Sequence, residues 1–471
     1  MSWVTKRIRR VGILVTRQTE TGGFIMFRRS RRVTATAVFA ALACAAGSLP
    51  ALAQNNTQFI PIVGYRVGQF ASVGSGFYSG MVDYFTMINE RDGGVNKVKL
   101  TWEECETEYN NARGVECYER LKQKGPTGAT LVQPMSTGIT YSILDRSVVD
   151  KVPLVTIGYG RTDTTDGSVF PYAFPMITNY WSQATGIIKY MGQKAGGMDK
   201  LKGKKIALLY HDSAFGKEPI PVLEDLAKKY DFSLLLVPVP PPGLEQGAQW
   251  LRVRQDNPDF VLLWAAGIMA PTAIKTAAKV GYPRSKMIGI HWSGSEEDVI
   301  PAGDAGKTYI SATFSATGSN FPIVQDVVKH VYKKNKGSLD DKSRIGTVYW
   351  NRGLIGGMIT VEAIRLAQEK YGKGKPVTGE QVRWALEHIK LDNANLKRLG
   401  AEGFMPPTII TCADHEGSGM IKFQEWDGNQ WKPISDWIAP ERELVRAKVE
   451  ASSRAYAKEK GITPRDCSKE G

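Results

Sequence analysis

Short apolar segments alternate with longer amphipathic segments along most of the chain. Residues 152–157 are typical of the first kind: they are apolar, β-branched and of strand length, and they run into a polar, glycine-rich stretch. Residues 77–89 are typical of the second kind, with apolar side chains at helical spacing, and the pair Gly93 and Gly94 predicts the end of that helix. Strict alternation of strand and helix predicts an α/β fold with doubly wound parallel sheets.

The remaining elements follow from the same pattern, with a loop at 64–76 and a linker in the proline run 238–243. Further strands are predicted at 59–63, 97–102, 129–132, 205–210, 232–237, 260–264, 286–290, 308–313, 420–426 and 431–437, the last two forming a hairpin. Further helices are predicted at 111–122, 140–150, 181–193, 218–230, 271–280, 321–334, 349–371, 378–389 and 442–460.

The pattern restarts after a connector marked by Pro171 and Pro175, which predicts two lobes. Residues 54–176 with about 314–390 form the N-terminal lobe, and 177–313 with about 391–471 form the C-terminal lobe and a C-terminal extension. Several crossings join the lobes as a multi-strand hinge. We therefore expect a clamshell whose ligand binds in the cleft and is buried by hinge closure.

Two loops that directly follow predicted strands are the first candidates for the ligand site. The strand at 129–132 runs into Ser136 and Thr137, and the strand at 152–157 runs into Tyr159 and the residues after it. Open α/β sheets bind ligands beyond the carboxyl ends of their strands. The two loops are therefore predicted to form one wall of a pocket.

Net charge changes little in this picture. The chain of 471 residues carries +14 overall, but residues 1–53 account for +8, so the remainder carries +6. No basic stripe interleaved with aromatic residues occurs, so nucleic-acid binding is not expected.

The first 53 residues are predicted to be a leader with a signal peptide. A basic segment begins at Met26, the expected initiator, an apolar core covers 33–47, and Ala51 and Ala53 fit the cleavage rule. Twin-arginine export remains an alternative, and so does a lipoprotein anchor at Cys44, although periplasmic release is favoured. No other segment is long and apolar enough to span a membrane.

Cysteine usage agrees with export, because four cysteines remain after the leader. We expect disulfides between Cys105 and Cys117 and between Cys412 and Cys467, although four cysteines allow three connectivities. A zinc site is not favoured because no Cys-x-x-Cys pair and no suitably spaced histidine pair occurs.

Several motifs carry a resemblance to a known family over residues 59–389. They are the stretches 79–94, 133–138, 152–154, 210–216 and 277–282. In their order and spacing the chain resembles the periplasmic solute-binding proteins of ABC importers, specifically the branched-chain amino-acid (leucine, isoleucine, valine) binding family. The resemblance implies the type I periplasmic-binding fold, a membrane permease as partner, a monomer, and neither cofactor nor metal.

The resemblance also implies site residues. The family holds the ligand carboxylate with a serine and a threonine. Here the serine falls on Ser136, beside Thr137, and the second loop falls on Tyr159, Gly160, Arg161 and Thr162, with Arg161 at the threonine's position. An aromatic residue of the second lobe falls on Phe215, and the acidic residue that holds the ligand's ammonium falls near Trp292.

These departures favour a small organic or aromatic acid over leucine. An ammonium buried without a carboxylate would be costly, whereas Arg161 would anchor a carboxylate in a bidentate manner. Trp264 and Trp292 would suit a flat apolar body. A shift of a few residues in the alignment would restore an acid through Glu296 or Glu297.

Each candidate also has a purely structural interpretation. Arg161 would pair with Asp163 or Asp166 on the surface, and Ser136 would merely cap the following helix. Phe215, Trp264 and Trp292 would be core residues.

Two other classes of function remain as alternatives. A secreted enzyme acting on a small amide or acid would need a nucleophile, but no Gly-x-Ser-x-Gly motif and no complete Gly-x-x-x-x-Gly-Lys-Ser/Thr loop occurs. A ligand-sensing domain would need a later membrane segment. Capture of a solute without chemistry is the favoured interpretation.

Overall fold

The computed structural model describes residues 56–470. The predicted leader, with Met26 and the cleavage site, lies outside them. Within the described part no helix combines the length and apolarity that crossing a membrane requires. The α/β class predicted from the alternation of elements is confirmed.

Thirteen strands and fourteen α-helices are present in the described residues. The strands are β1 Thr57–Gly64, β2 Lys99–Glu106, β3 Leu154–Val155, β4 Ala173–Phe174, β5 Lys205–His211, β6 Ser233–Val239, β7 Phe260–Trp264, β8 Met287–Gly289, β9 Ile310–Thr313, β10 Lys390–Leu391, β11 Thr408–Ile409, β12 Lys422–Trp426 and β13 Trp431–Pro433. The helices are α1 Ala71–Asp92, α2 Asn111–Leu121, α3 Thr137–Asp150, α4 Tyr180–Ala195, α5 Ala214–Lys217, α6 Ile220–Tyr230, α7 Gly247–Asp256, α8 Met269–Lys279, α9 Glu296–Val299, α10 Pro322–His330, α11 Val348–Tyr371, α12 Gly379–Leu386, α13 Asn393–Arg398 and α14 Arg442–Lys460.

The first sheet is parallel. β1 pairs with β2, and β3 pairs with β4. Between them runs an extended segment: the Thr130 amide donates to the Phe59 carbonyl, and Val132 bridges to Leu154. The predicted strand at 129–132 is therefore present only as this bridging segment.

The second sheet has seven strands in the order β13-β12-β9-β8-β7-β5-β6. The strands β5, β6, β7, β8 and β9 are parallel to one another. The hairpin β12–β13 is antiparallel, and its strand β12 pairs antiparallel with β9. The predicted hairpin is confirmed. The described residues belong to one unit, Leu52–Gly471, so the division into two lobes at the predicted boundaries stays a prediction.

The glycine-rich stretch before residue 77 is where the sequence prediction fails. Residues 64–76 were expected to form a loop, yet α1 begins at Ala71. A Cβ atom at Gly74 would lie 1.7 Å from the Tyr65 carbonyl oxygen, and one at Gly80 would lie 2.0 Å from the Trp350 carbonyl oxygen. The glycines are therefore explained by close packing of α1 against its neighbours, α11 among them. The predicted end of α1 is confirmed, since Gly93 is its left-handed cap.

Both predicted disulfides are confirmed. Cys105 at the end of β2 is bonded to Cys117 in α2. Cys412 is bonded to Cys467, which fixes the tail that follows α14.

Candidate functional site

A small pocket, with a cavity volume of about 20 Å³, lies where strands of both sheets end. On the side of the first sheet, its lining residues come shortly after the carboxyl ends of β1, β2, the bridging segment and β3. On the side of the second sheet, its lining residues come shortly after the carboxyl ends of β5, β7 and β8. The residues lining it are Tyr65, Phe70, Val73, Tyr109, Met135, Thr137, Tyr159, Tyr180, Phe215, Ala266 and Trp292.

The N-terminus of α3 forms the polar part of this lining. Ser136 caps the helix, its hydroxyl accepting from the Ile139 amide at 3.3 Å, and Thr137 is the first helical residue. The Tyr109 phenol lies near the Ser136 side chain and the Thr137 backbone. The helix dipole and the free backbone amides at this N-terminus favour the negatively charged oxygen atoms of a ligand.

Aromatic side chains from the second sheet close the opposite side. The Trp292 indole N–H donates to the Tyr180 hydroxyl at 3.0 Å, and the Trp292 ring meets the Tyr159 ring edge to face at 6.2 Å. The Trp264 indole N–H donates to the Phe215 carbonyl at 3.1 Å, which fixes the loop after β5. Tyr159 and Trp292 thus bring the two walls into direct contact.

The lining is mostly aromatic and carries no charged residue. Seven of its eleven residues are aromatic, and none is Asp, Glu, Lys or Arg. Burial raises the pKa of Tyr109 to about 12 and raises the pKa values of Tyr65, Tyr159 and Tyr180 as well. The phenol groups therefore stay neutral at physiological pH, and the Tyr65 hydroxyl donates to the Met135 carbonyl at 3.0 Å.

The structure brings together four of the residues predicted from the sequence. Thr137, Tyr159, Phe215 and Trp292 line the pocket, and Ser136 lies next to it as the helix cap. Gly160, Arg161, Thr162 and Trp264 are not among the lining residues.

Arg161 is turned away to an ion pair, the arrangement that the structural interpretation anticipated. Its guanidinium bonds the Asp163 carboxylate at 2.6 Å and stacks 4.5 Å from the Tyr456 ring centroid. The interpretation of Arg161 as a bidentate anchor inside the pocket therefore lacks support in this arrangement, because the nearby buried Asp163 satisfies the guanidinium. Thr162 is likewise engaged elsewhere: its amide donates to a Glu218 carboxylate oxygen at 2.7 Å.

The two acids considered as ammonium partners also lie outside the pocket lining. Glu296 accepts from the Thr317 hydroxyl at 2.6 Å and from the Val348 amide at 2.9 Å. Glu297 pairs with Arg344 at 2.9 Å. Neither carboxylate is left available to a ligand ammonium in this arrangement.

Tyrosines are the main residues that sequence reasoning missed. Tyr65 follows β1 directly and Tyr109 follows β2, so the strand-end rule would have found both had it been applied to every strand. Tyr180 is the first residue of α4, and no predicted strand directly precedes it.

A metal centre has weak support among the described residues. The one group whose ligand atoms come together is Glu387, Cys412 and Glu470. The Cys412 sulfur is in a disulfide, and Glu387 is ion-paired with Arg383 and Arg465. The Cys412 sulfur and the Glu387 carboxylate are therefore already bonded to other groups.

Two walls with a small aromatic pocket between their strand ends are typical of proteins that bind a small molecule. The sequence model of the periplasmic binding proteins matches residues 57–430, so the chain belongs to the periplasmic binding protein family. Members of this family bind small ligands for ABC transporters, outside the cytoplasm.

Solved structures agree with the family. A structure described as an ABC transporter permease from the Pseudomonas fluorescens group is 46% identical, with a TM-score of 0.82, covering 88% of this chain and 100% of that one. A branched-chain amino acid ABC transporter from Thermus thermophilus with bound valine is 20% identical, with a TM-score of 0.69, covering 83% and 99%. A solute-binding protein from R. palustris in complex with benzoate is 16% identical, with a TM-score of 0.64, covering 82% and 97%. The last two share the fold. The chain matches none of the curated proteins compared with it.

Proposed function

We propose that this protein is a periplasmic, monomeric solute-binding protein that captures a small carboxylate-bearing solute, an aromatic acid in preference to an amino acid, and delivers it to an ABC import permease. The proposal assigns no reaction and no cofactor to the chain. The observation that carries it is the lining of the pocket, which is aromatic and uncharged.

The absence of a carboxylate from the pocket lining argues against an amino acid. A buried ammonium needs a carboxylate partner, and without one its desolvation costs several kcal/mol. Glu296 and Glu297 are engaged with other groups. A solute without an ammonium meets no such penalty.

The N-terminus of α3 supports a carboxylate on the solute. Thr137 offers a hydroxyl from the first turn, and the dipole of a 14-residue helix favours negative charge there. Tyr159 and Trp292, which contact each other edge to face, would then line the flat body of the solute.

Contacts across the pocket support capture by closure. The Ile268 amide, after β7, donates to the Gln69 carbonyl, before α1, at 3.1 Å. Such contacts favour the closed state only if the solute binds that state more tightly than the open one. Related folds with bound valine and with bound benzoate are consistent with a small ligand.

A thermal-shift screen of the mature chain tests the proposal. The panel contains benzoate, 4-hydroxybenzoate, phenylacetate, leucine, valine, dicarboxylates and amides. An aromatic acid is expected to raise the unfolding temperature in proportion to the logarithm of its concentration, because only the folded state binds it. A larger shift with leucine or valine, or turnover of a hit, would contradict the proposal.

The variant Thr137→Val tests the carboxylate position. Loss of one hydroxyl in the first turn of α3 is expected to weaken binding of the aromatic acid about tenfold, as measured by titration calorimetry. Ser142→Ala, an exposed hydroxyl on the same helix, is the matched control. Equal affinity in both variants would remove the helix N-terminus from the site.

A further inference from the structure

The C-terminal helix α14 lies beyond the residues that match the family model and contacts α4, α6 and the loop that follows β3. The match ends at residue 430, and α14 covers Arg442–Lys460. Its buried residues Val445, Val449, Ser453 and Ala457 are spaced four apart, so one stripe of the helix faces the rest of the protein.

The first half of α14 is held by helices that cover the second sheet. Glu441, its cap residue, accepts from Lys229 and Tyr230 at the end of α6. Two turns later Lys448 bonds Asp225 of α6 at 2.7 Å and lies 5.7 Å from the Trp181 ring centroid in α4.

The second half is held by the loop that follows β3. Ser452 donates to the Asp163 carboxylate at 2.8 Å, and Ser453 donates to the Asp166 carboxylate at 2.6 Å. The Arg161 guanidinium stacks on the Tyr456 ring, 4.5 Å from the ring centroid. Tyr159, which lines the pocket, belongs to the same loop.

Buried carboxylates make these contacts significant. The Asp163 side chain is only 3% exposed, so its partners Arg161 and Ser452 supply the hydrogen bonds that burial requires. The Cys412–Cys467 disulfide then ties down the chain that follows α14. The helix is therefore anchored at its start, along its middle and beyond its end.

We propose that α14 is a strap that positions the Tyr159 wall of the pocket and couples it to α6, so that the C-terminal extension sets how readily the two walls separate. The inference rests on the proposed function for its purpose. The coupling between α6 and the loop at 160–168 does not require a solute, so it is expected in the ligand-free protein as well. Glu441, Lys448, Ser452, Ser453 and Tyr456 are its positioning residues.

Hydrogen exchange on the ligand-free mature protein tests the coupling. The double variant Glu441→Ala/Lys448→Ala removes side chains that contact α6 and α4. It is expected to speed exchange about tenfold at the distant amides 160–168, and to increase the radius of gyration in solution scattering. Ser452→Ala/Tyr456→Ala, on the other side, is expected to speed exchange in 220–230.

A helix that merely packs locally gives a different result. Each double variant would then change exchange only in the segment it contacts, and the radius of gyration would stay constant, which would overturn the proposal. Lys458→Ala, at an exposed position of α14, is the control. Lys448→Met keeps the aliphatic stem and loses the ion pair with Asp225, so it carries the same test if the first double variant fails to fold. No solute is used, so a failed solute screen leaves this result interpretable.

Discussion

At the scale of single residues, the pocket is built by side chains that immediately follow strands. Thr137 and Tyr159 were predicted from the sequence because each comes shortly after a predicted strand, whereas Phe215 and Trp292 were inferred from the family resemblance. The ion pair of Arg161 with Asp163 was one of two interpretations of the sequence, and the sequence could not decide between them because the orientation of Arg161 also depends on Tyr456, nearly three hundred positions away. Local patterns carry no information on such a contact.

Replacement of Arg161 by alanine tests this assignment. Because the guanidinium serves Asp163 outside the pocket lining, Arg161→Ala is expected to lower the free energy of unfolding by about 2 kcal/mol. The thermal shift produced by the aromatic acid should persist. Denaturant unfolding and the shift assay measure the two effects. Loss of the shift in a folded variant would return Arg161 to the site.

At the scale of elements, period and length in the sequence located most strands and helices. β7 and α14 have the predicted bounds, whereas α7 was missed and α1 begins earlier than predicted. Glycines in α1 look like loop residues in the sequence, and only the approach of the Trp350 backbone to Gly80 explains them. Close packing between helices distant in sequence is not encoded by local propensity.

The two disulfides are expected to contribute unequally to stability. Their sequence separations are 12 and 55 residues. Chain entropy then predicts a loss of about 3 kcal/mol for Cys105→Ser/Cys117→Ser and about 4 kcal/mol for Cys412→Ser/Cys467→Ser. Guanidinium unfolding of both double variants measures the difference. The reverse order would show that the tail after α14 contributes little.

Glu416 is expected to make stability depend on pH. It accepts from the Asn179 amide at 2.8 Å, where the chain passes from β4 to α4. Burial, and then repulsion from Asp414, raise its pKa to about 7 from the ordinary 4.5. The folded state therefore keeps a proton that the unfolded state loses, and stability falls as pH rises through this window by up to about 3 kcal/mol.

Glu416→Gln imitates the protonated carboxyl and should remove that fall. Relative to the native protein, the variant is expected to gain stability between pH 5 and pH 8, as measured by chemical unfolding at each pH. Glu459→Gln, at an exposed position, is the control. Parallel curves for the native protein and Glu416→Gln would contradict the assignment.

At the scale of the whole molecule, the fold brings two sheets together so that their strand ends meet at one pocket. The sequence predicted this arrangement because strands and helices alternate in two successive series. It could not predict how small the pocket is or that its lining is mostly aromatic, since these depend on how closely the walls approach. The central claim is that a solute binds in this space.

Titration calorimetry on the mature protein and on Ala266→Phe tests that claim most directly. Ala266 is a small residue of the lining, and a phenyl group there would take up space at the wall of the pocket that a bound solute needs. The native protein is expected to bind one molecule of the aromatic acid per chain, and the folded variant none. Equal affinity in both proteins would contradict the account.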